Sequence, residues 1–185
     1  MGALWFVTGG ARSGKSTFAE HLAADTARPV VYVATLEPLD EEMRLRIARH
    51  RDQRPAAWRT IEAPRAVTAA IVGAGDRPCV VLDCLSLWLT NRLLDEAGDE
   101  PSATDGERVE AMLDGELQAL LGAIAARGGT TVIVSNEVGS GIVPPTPLGR
   151  VYRDLLGRAN QAVSRRADRA WLLVSGRALE LPPPA

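Results

Sequence analysis

Gly9-Gly10-Ala11-Arg12-Ser13-Gly14-Lys15-Ser16 fits the pattern G-x-x-x-x-G-K-[ST], and no other stretch constrains the fold of this chain as strongly. Ahead of it, Ala3-Leu4-Trp5-Phe6-Val7 is a continuous apolar run, as expected of a parallel strand covered on both faces. Behind it, residues 17–24 read as a helix. A strand that ends in a glycine loop at a helix N-terminus turns backbone N–H groups and the helix dipole onto one point, where phosphate is attracted. Lys15 is then expected to reach the β- and γ-phosphates of a nucleotide, and Ser16 to ligate Mg²⁺. The alternative is a glycine-rich turn carrying a solvated lysine. Usage argues against it: of 21 basic residues, Lys15 is the single lysine. The one ammonium therefore stands where a guanidinium would not serve.

A triphosphate site also needs a carboxylate for its metal. Cys79-Val80-Val81-Leu82-Asp83 is a short β-branched run ending in an acid. That is the pattern of a buried strand delivering Asp83 to the carboxyl edge of an α/β sheet, where ligands bind. Asp83 is the expected metal ligand beside Ser16; the alternative is a cap on the helix that begins near Leu85. Apolar runs at 30–34, 131–135 and 170–174 read as further strands, and 177–181 as an edge strand stopped by Pro182, Pro183 and Pro184. Helical patterns occupy 39–52, 66–72, 85–96, 107–127 and 148–167. This alternation predicts an α/β fold, a mostly parallel sheet with helices on both faces, in one domain spanning 1–185. The small, acidic stretch 97–106 reads as a surface loop.

Composition removes several function classes. Twenty-one basic against 23 acidic residues give a net charge of −2, which leaves no surplus for coating nucleic acid. No apolar run approaches the 18 or so residues of a membrane span, and MGALWFVTGG lacks the basic start of a signal peptide. Cys79, Cys84, His21 and His50 are too few for a disulfide scaffold or a zinc site, so a reducing cytoplasm is the expected location.

Residues 40–62 carry six arginines around His50: Arg44, Arg46, Arg49, Arg51, Arg54 and Arg59. Asp40 with Arg44 and Glu42 with Arg46 are spaced as i, i+4 ion pairs of a solvated helix. Arg49, Arg51 and Arg54 have only Asp52 near them in sequence, and arginines short of acidic partners suit a polyphosphate. Two readings of His50 stand side by side. A neutral imidazole can attack phosphorus and carry a nucleotidyl group, and neighbouring guanidinium charges would keep it neutral. Equally, it can be a partly exposed helix histidine with no chemistry. His21, behind the phosphate loop, reads as structural.

Taken together these segments resemble a known family, the bifunctional adenosylcobinamide kinase/adenosylcobinamide-phosphate guanylyltransferases of cobalamin biosynthesis. The resemblance lies in TGGARSGKS (8–16), YVAT (32–35), DEEM with RIARHR (40–51), RPAAWRTIE (54–62) and the strand-end acid with Thr90 and Asn91 beyond it. It continues in SNEVGSGIVP (135–144), YRDLLGRANQ (152–161) and AWLLVSG (170–176). It implies a RecA-like P-loop fold, a homotrimer and two reactions. ATP or GTP first phosphorylates the aminopropanol hydroxyl of adenosylcobinamide; GTP then donates GMP through a covalent guanylyl-histidine, which falls on His50, and pyrophosphate leaves. It also implies nucleotide contacts at Gly9, Gly10, Ala11, Arg12, Ser13, Gly14, Lys15, Ser16, Ala34, Thr35, Leu36, Arg51, Asp52, Gln53, Arg54, Glu62 and Asp83. Two departures are visible: Asp83 stands where members can carry Glu, and Arg49 where some have a second histidine. Segments 136–144 and 150–161 are open between holding substrate and touching a neighbouring subunit. A plain small-molecule P-loop kinase and a nucleotide-switched binding module are the competing readings.

Overall fold

The computed structural model of the chain describes residues 2–37, 41, 44–45, 51, 54–98 and 103–184. Strand β1 (Leu4–Gly9) leads through the glycine loop into helix α1 (Lys15–Asp25), followed by β2 (Val30–Ala34) and β3 (Arg59–Glu62). Helix α2 (Val67–Ala74), β4 (Cys79–Asp83), α3 (Leu85–Ala97) and α4 (Ala103–Ala126) come next. The chain continues through β5 (Thr131–Asn136), α5 (Pro147–Arg166), β6 (Arg169–Val174) and β7 (Arg177–Leu181). The seven strands form one sheet in the order β3-β2-β4-β5-β1-β6-β7. All neighbours are parallel except the β6–β7 hairpin.

Side chains alternate across each strand, so both faces of the central strands are apolar and both must be covered. Phe6, Val33, Leu82 and Ile133 pack beneath α2, α3, α4 and α5. Val7, Tyr32, Val81, Val134 and Trp171 meet Ala19 and Ala23 of α1. Small alanines bring α1 close to the sheet, which sets the loop before it directly above the carboxyl ends of β1, β4 and β5. Gly9 turns β1 into that loop at φ +153°, and a Cβ there would stand 2.4 Å from the Leu173 carbonyl oxygen. Only glycine passes so near a neighbouring strand.

Three expectations are revised. Strand β3 was not anticipated: its four residues lie at the sheet edge, where the residue pattern carries little apolar alternation. Helix α4 starts at Ala103, four residues ahead of the sequence expectation, because acidic residues that look like loop composition are favourable in a first helical turn. The expected loop 97–106 therefore shrinks, with Gly98 closing α3 at φ +63°. The helix expected at 39–52 lies largely outside the described residues.

At the opposite edge of the sheet from the loop, Arg127 is 5 % exposed. Its guanidinium donates to the carbonyl oxygens of Gly75 (2.7 Å), Pro78 (2.9 Å) and Thr130 (3.1 Å) and to Thr131 Oγ1 (2.9 Å). One side chain thus ties the ends of α2 and α4 to the starts of β4 and β5. No described helix is long and apolar enough to cross a membrane.

Candidate active site

Four strand ends and the loop converge on one cleft of about 780 Å³. The loop forms its floor. Arg12 (φ +56°) and Gly14 (φ +95°) take left-handed backbone conformations, and Gly14 is the N-cap of α1 with no side-chain cap. The first N–H groups of α1 are thus left for a ligand. Gly176 N–H donates to the Ser13 carbonyl at 2.9 Å, pinning the loop to the β6–β7 turn. Ser13 Oγ is buried with no hydrogen-bond partner.

Lys15, 8 % exposed, folds back so that Nζ donates to the Gly10 carbonyl at 2.6 Å. Burial pulls its ammonium below the usual lysine range, while Cys84 and Asp83 oppose that shift. Ser16 lines the cleft beside it.

Asp83 ends β4 on the same cleft, and its carboxylate accepts a hydrogen bond from the Tyr32 hydroxyl. It does not cap α3: Cys84 holds the N-cap position, without a side-chain bond. Tyr32 is 1 % exposed, and its phenol is pushed far above the ordinary value by burial first and by Asp83 second. The Arg54 guanidinium lies over the tyrosine ring, 3.4 Å from its centroid, with Nε 3.7 Å from Glu20 Oε1 of α1. A run from Glu20 through Arg54 and Tyr32 to Asp83 therefore joins α1, the segment before β3, β2 and β4. Cys84, also on the cleft, is pushed up to about 11 by burial and remains a thiol near neutrality.

Arg44, Arg51 and Arg54 all line the cleft, as do Ala11, Arg12, Ala34, Leu36 and Glu62. Arg44 pairs with Glu41 at 3.3 Å, while Asp40, its partner in the sequence reading, lies outside the described residues. Thr35 turns away. Its hydroxyl donates to the Cys84 carbonyl and accepts from the Cys84 N–H, both at 2.8 Å, so the side chain locks β2 to the end of β4. Asn91 serves the same frame, donating to the carbonyls of Thr35 (2.9 Å) and Pro64 (3.0 Å). Gly9 and Gly10 are not among the residues lining the cleft; the Gly9 carbonyl accepts from Glu137 N–H, and the Gly10 carbonyl from Ser13 N–H and Lys15 Nζ. His21, read from the sequence as structural, is exposed on α1. His50, Asp52 and Gln53 lie outside the described residues.

Sequence reasoning missed Tyr32 and Glu20. A tyrosine in an apolar strand run looks like core, and its partner Asp83 lies 51 residues away. Asn136 begins the 136–144 segment, which the sequence leaves open between substrate and subunit; in the structure it ends β5 and lines the cleft. Among the described residues, no group of three or more His, Cys, Asp or Glu side chains is placed to hold a metal ion.

A phosphate loop on a six-strand parallel core, with one strand between the loop strand and the strand that carries the acid, makes this a P-loop NTPase fold of the RecA-like kind. A prototypical ATPase from the type III secretion system of pathogenic bacteria shares it, with a TM-score of 0.58 and 14% identity over 94% of this chain and 52% of that one. The sequence narrows the class further. The family model described as cobinamide kinase / cobinamide phosphate guanyltransferase matches residues 5–181. The bifunctional adenosylcobalamin biosynthesis protein CobU of Escherichia coli K12 is 42% identical over 172 residues, covering 92% of this chain and 94% of the relative. CobP of Pseudomonas aeruginosa, described in the same words, is 44% identical over 171 residues, 92% of each chain. The chain belongs to the cobinamide kinase / cobinamide phosphate guanyltransferase family.

Proposed function

We propose that this chain carries out both reactions of its family in adenosylcobalamin biosynthesis, in one cleft and with one triphosphate site. The observation that carries the reading is that Lys15, Ser16, Asp83 and three arginines, Arg44, Arg51 and Arg54, line a single cavity. Such a cavity suits a nucleoside triphosphate whose tail rests on the loop and whose charge is met by arginine. In the kinase step the adenosylcobinamide hydroxyl oxygen bonds to the γ-phosphorus of ATP or GTP. The bond from that phosphorus to the β,γ-bridging oxygen breaks, the nucleoside diphosphate leaves with the electron pair, and the hydroxyl proton passes to water.

Guanylyl transfer shifts the attack to the α-phosphorus of GTP. A ring nitrogen of His50 bonds there and pyrophosphate departs. The phosphate oxygen of adenosylcobinamide phosphate then displaces the imidazole, giving adenosylcobinamide-GDP and free histidine. Lys15 meets the charge that grows on the departing phosphates, and an arginine within reach does the same.

Mg²⁺ fits this donor set. One hydroxyl (Ser16) and one carboxylate (Asp83) face the cleft, and this ion takes few protein ligands, keeping waters and substrate-phosphate oxygens for the rest. When bound it would neutralise charge on the triphosphate oxygens. A single domain over 1–185 and a cytoplasmic location, read from chain length and cysteine usage, and a homotrimer, implied by the resemblance, complete the reading.

Covalent chemistry at His50 has a direct check. Incubation with α-labelled GTP and Mg²⁺ should label the wild-type chain in an acid-labile, base-stable bond, and His50→Ala should remain unlabelled while retaining some kinase activity. Equal labelling of both proteins would refute the assignment. Transfer of γ- but never α-phosphate would favour the plain kinase.

A further inference from the structure

Strand β5 lies between the loop strand β1 and the acid-bearing strand β4. Its last residue, Asn136, pairs in register with Gly9, while Val134 pairs with Asp83, so Asn136 projects two residues beyond the level of the acid. Its side chain lines the cleft that holds Lys15, Ser16 and Asp83. It is also held firmly. Nδ2 donates to Ser86 Oγ at 2.7 Å, and the Asn136 carbonyl accepts from Asn160 Nδ2 at 2.9 Å. The next N–H, that of Glu137, donates to the Gly9 carbonyl at 2.9 Å. Ser86 and Asn160 are themselves buried, so the amide is set by its surroundings before any ligand arrives.

We propose that Asn136 positions the phosphoryl acceptor, its free Oδ1 accepting from the attacking hydroxyl and aiming that oxygen at the γ-phosphorus. The proposal rests on the kinase reading above. An amide used once by Ser86 keeps a carbonyl oxygen and one N–H. The attacking hydroxyl is an O–H donor, whereas a fully ionised triphosphate presents oxygens that only accept. A neutral group also guides the hydroxyl without the repulsion a second carboxylate would bring to the phosphates. Bonds change as in the kinase step; Asn136 takes no proton.

The test combines steady-state kinase assays on cobinamide with nucleotide affinity from displacement of a fluorescent ATP analogue. Asn136→Ala should lower kcat/KM for cobinamide by about 100-fold and leave the ATP Kd within about threefold, since a lost alignment costs rate and not nucleotide binding. Ser86→Ala, which frees the amide while keeping it present, should give the same split at about 10-fold. It carries the test alone if thermal melts show Asn136→Ala unfolded. Wild-type kcat/KM in the folded variant, or a loss matched by an equal loss of ATP affinity, would overturn the proposal. A wild-type chain that binds ATP but phosphorylates no cobinamide would instead sink the kinase reading, before any variant is compared.

Discussion

Single side chains in this cleft hold two jobs at once, and Tyr32 shows it best. Its hydroxyl fixes Asp83 and its ring supports Arg54. Tyr32→Phe should keep the cation–π stack and lose only the bond to the carboxylate. The expected result is a roughly 10-fold fall in kinase kcat with GTP affinity nearly unchanged, the scale of one hydrogen bond to a charged group. Tyr32→Leu removes the stack as well, so titration with GTP should then show weaker binding too. Equal effects of the two substitutions would mean that the hydroxyl and the ring do not act separately. Neither role was legible in the sequence, where Val30 to Ala34 reads as uniform strand. Lys15 and Asp83 were legible because each ends a local pattern: the lysine a loop motif, the acid an apolar run. Tyr32 acquires its meaning only from a partner on another strand.

Elements near the cleft are fixed by polar clamps as much as by apolar packing. Arg65, between β3 and α2, donates to Asp95 of α3 through Nε (2.6 Å) and Nη2 (2.8 Å) and also binds Glu37, just past β2. Its carbonyl accepts from Trp88 Nε1 at 3.0 Å. The clamp anchors the point where the chain leaves β2 for the arginine-rich segment. Arg65 holds the Asp95 carboxyl below the usual carboxylate range. A depressed carboxyl stabilises fully above its unfolded pKa of about 3.9 and loses that contribution as pH falls through the lower folded value. Asp95→Asn should therefore flatten the acid limb of a stability–pH curve and leave its shape above about pH 5 unchanged. A curve that keeps its full acid slope would contradict this. Such clamps escape a reading of the sequence because Arg65, Glu37 and Asp95 are each ordinary surface types. The β1–loop–α1 unit did not escape it, because its strand, turn and helix signals are contiguous.

Across the molecule, the phosphate loop and the Arg127 staple occupy opposite edges of one sheet, and their failures should look different. Arg127→Met leaves three half-buried carbonyl bonds and a buried threonine hydroxyl without their donor. It should cost about 3 kcal/mol in urea unfolding while the folded fraction keeps its kcat. An unchanged unfolding midpoint would show that water replaces the guanidinium. Alternation of strand and helix made the parallel sheet legible in advance; the short edge strand β3 and the early start of α4 were not, since neither carries a periodic apolar signal. The account's central claim is that phosphoryl and guanylyl transfer use one triphosphate held by Lys15. Intact-mass measurement of Lys15→Ala after mixing with GTP and Mg²⁺, set beside its kinase rate, tests this most directly. The account predicts that the gain of one GMP and the kinase activity both fall by at least about 100-fold. A variant that loses kinase activity yet takes up GMP at the wild-type rate would contradict it, because the two reactions would then use separate sites.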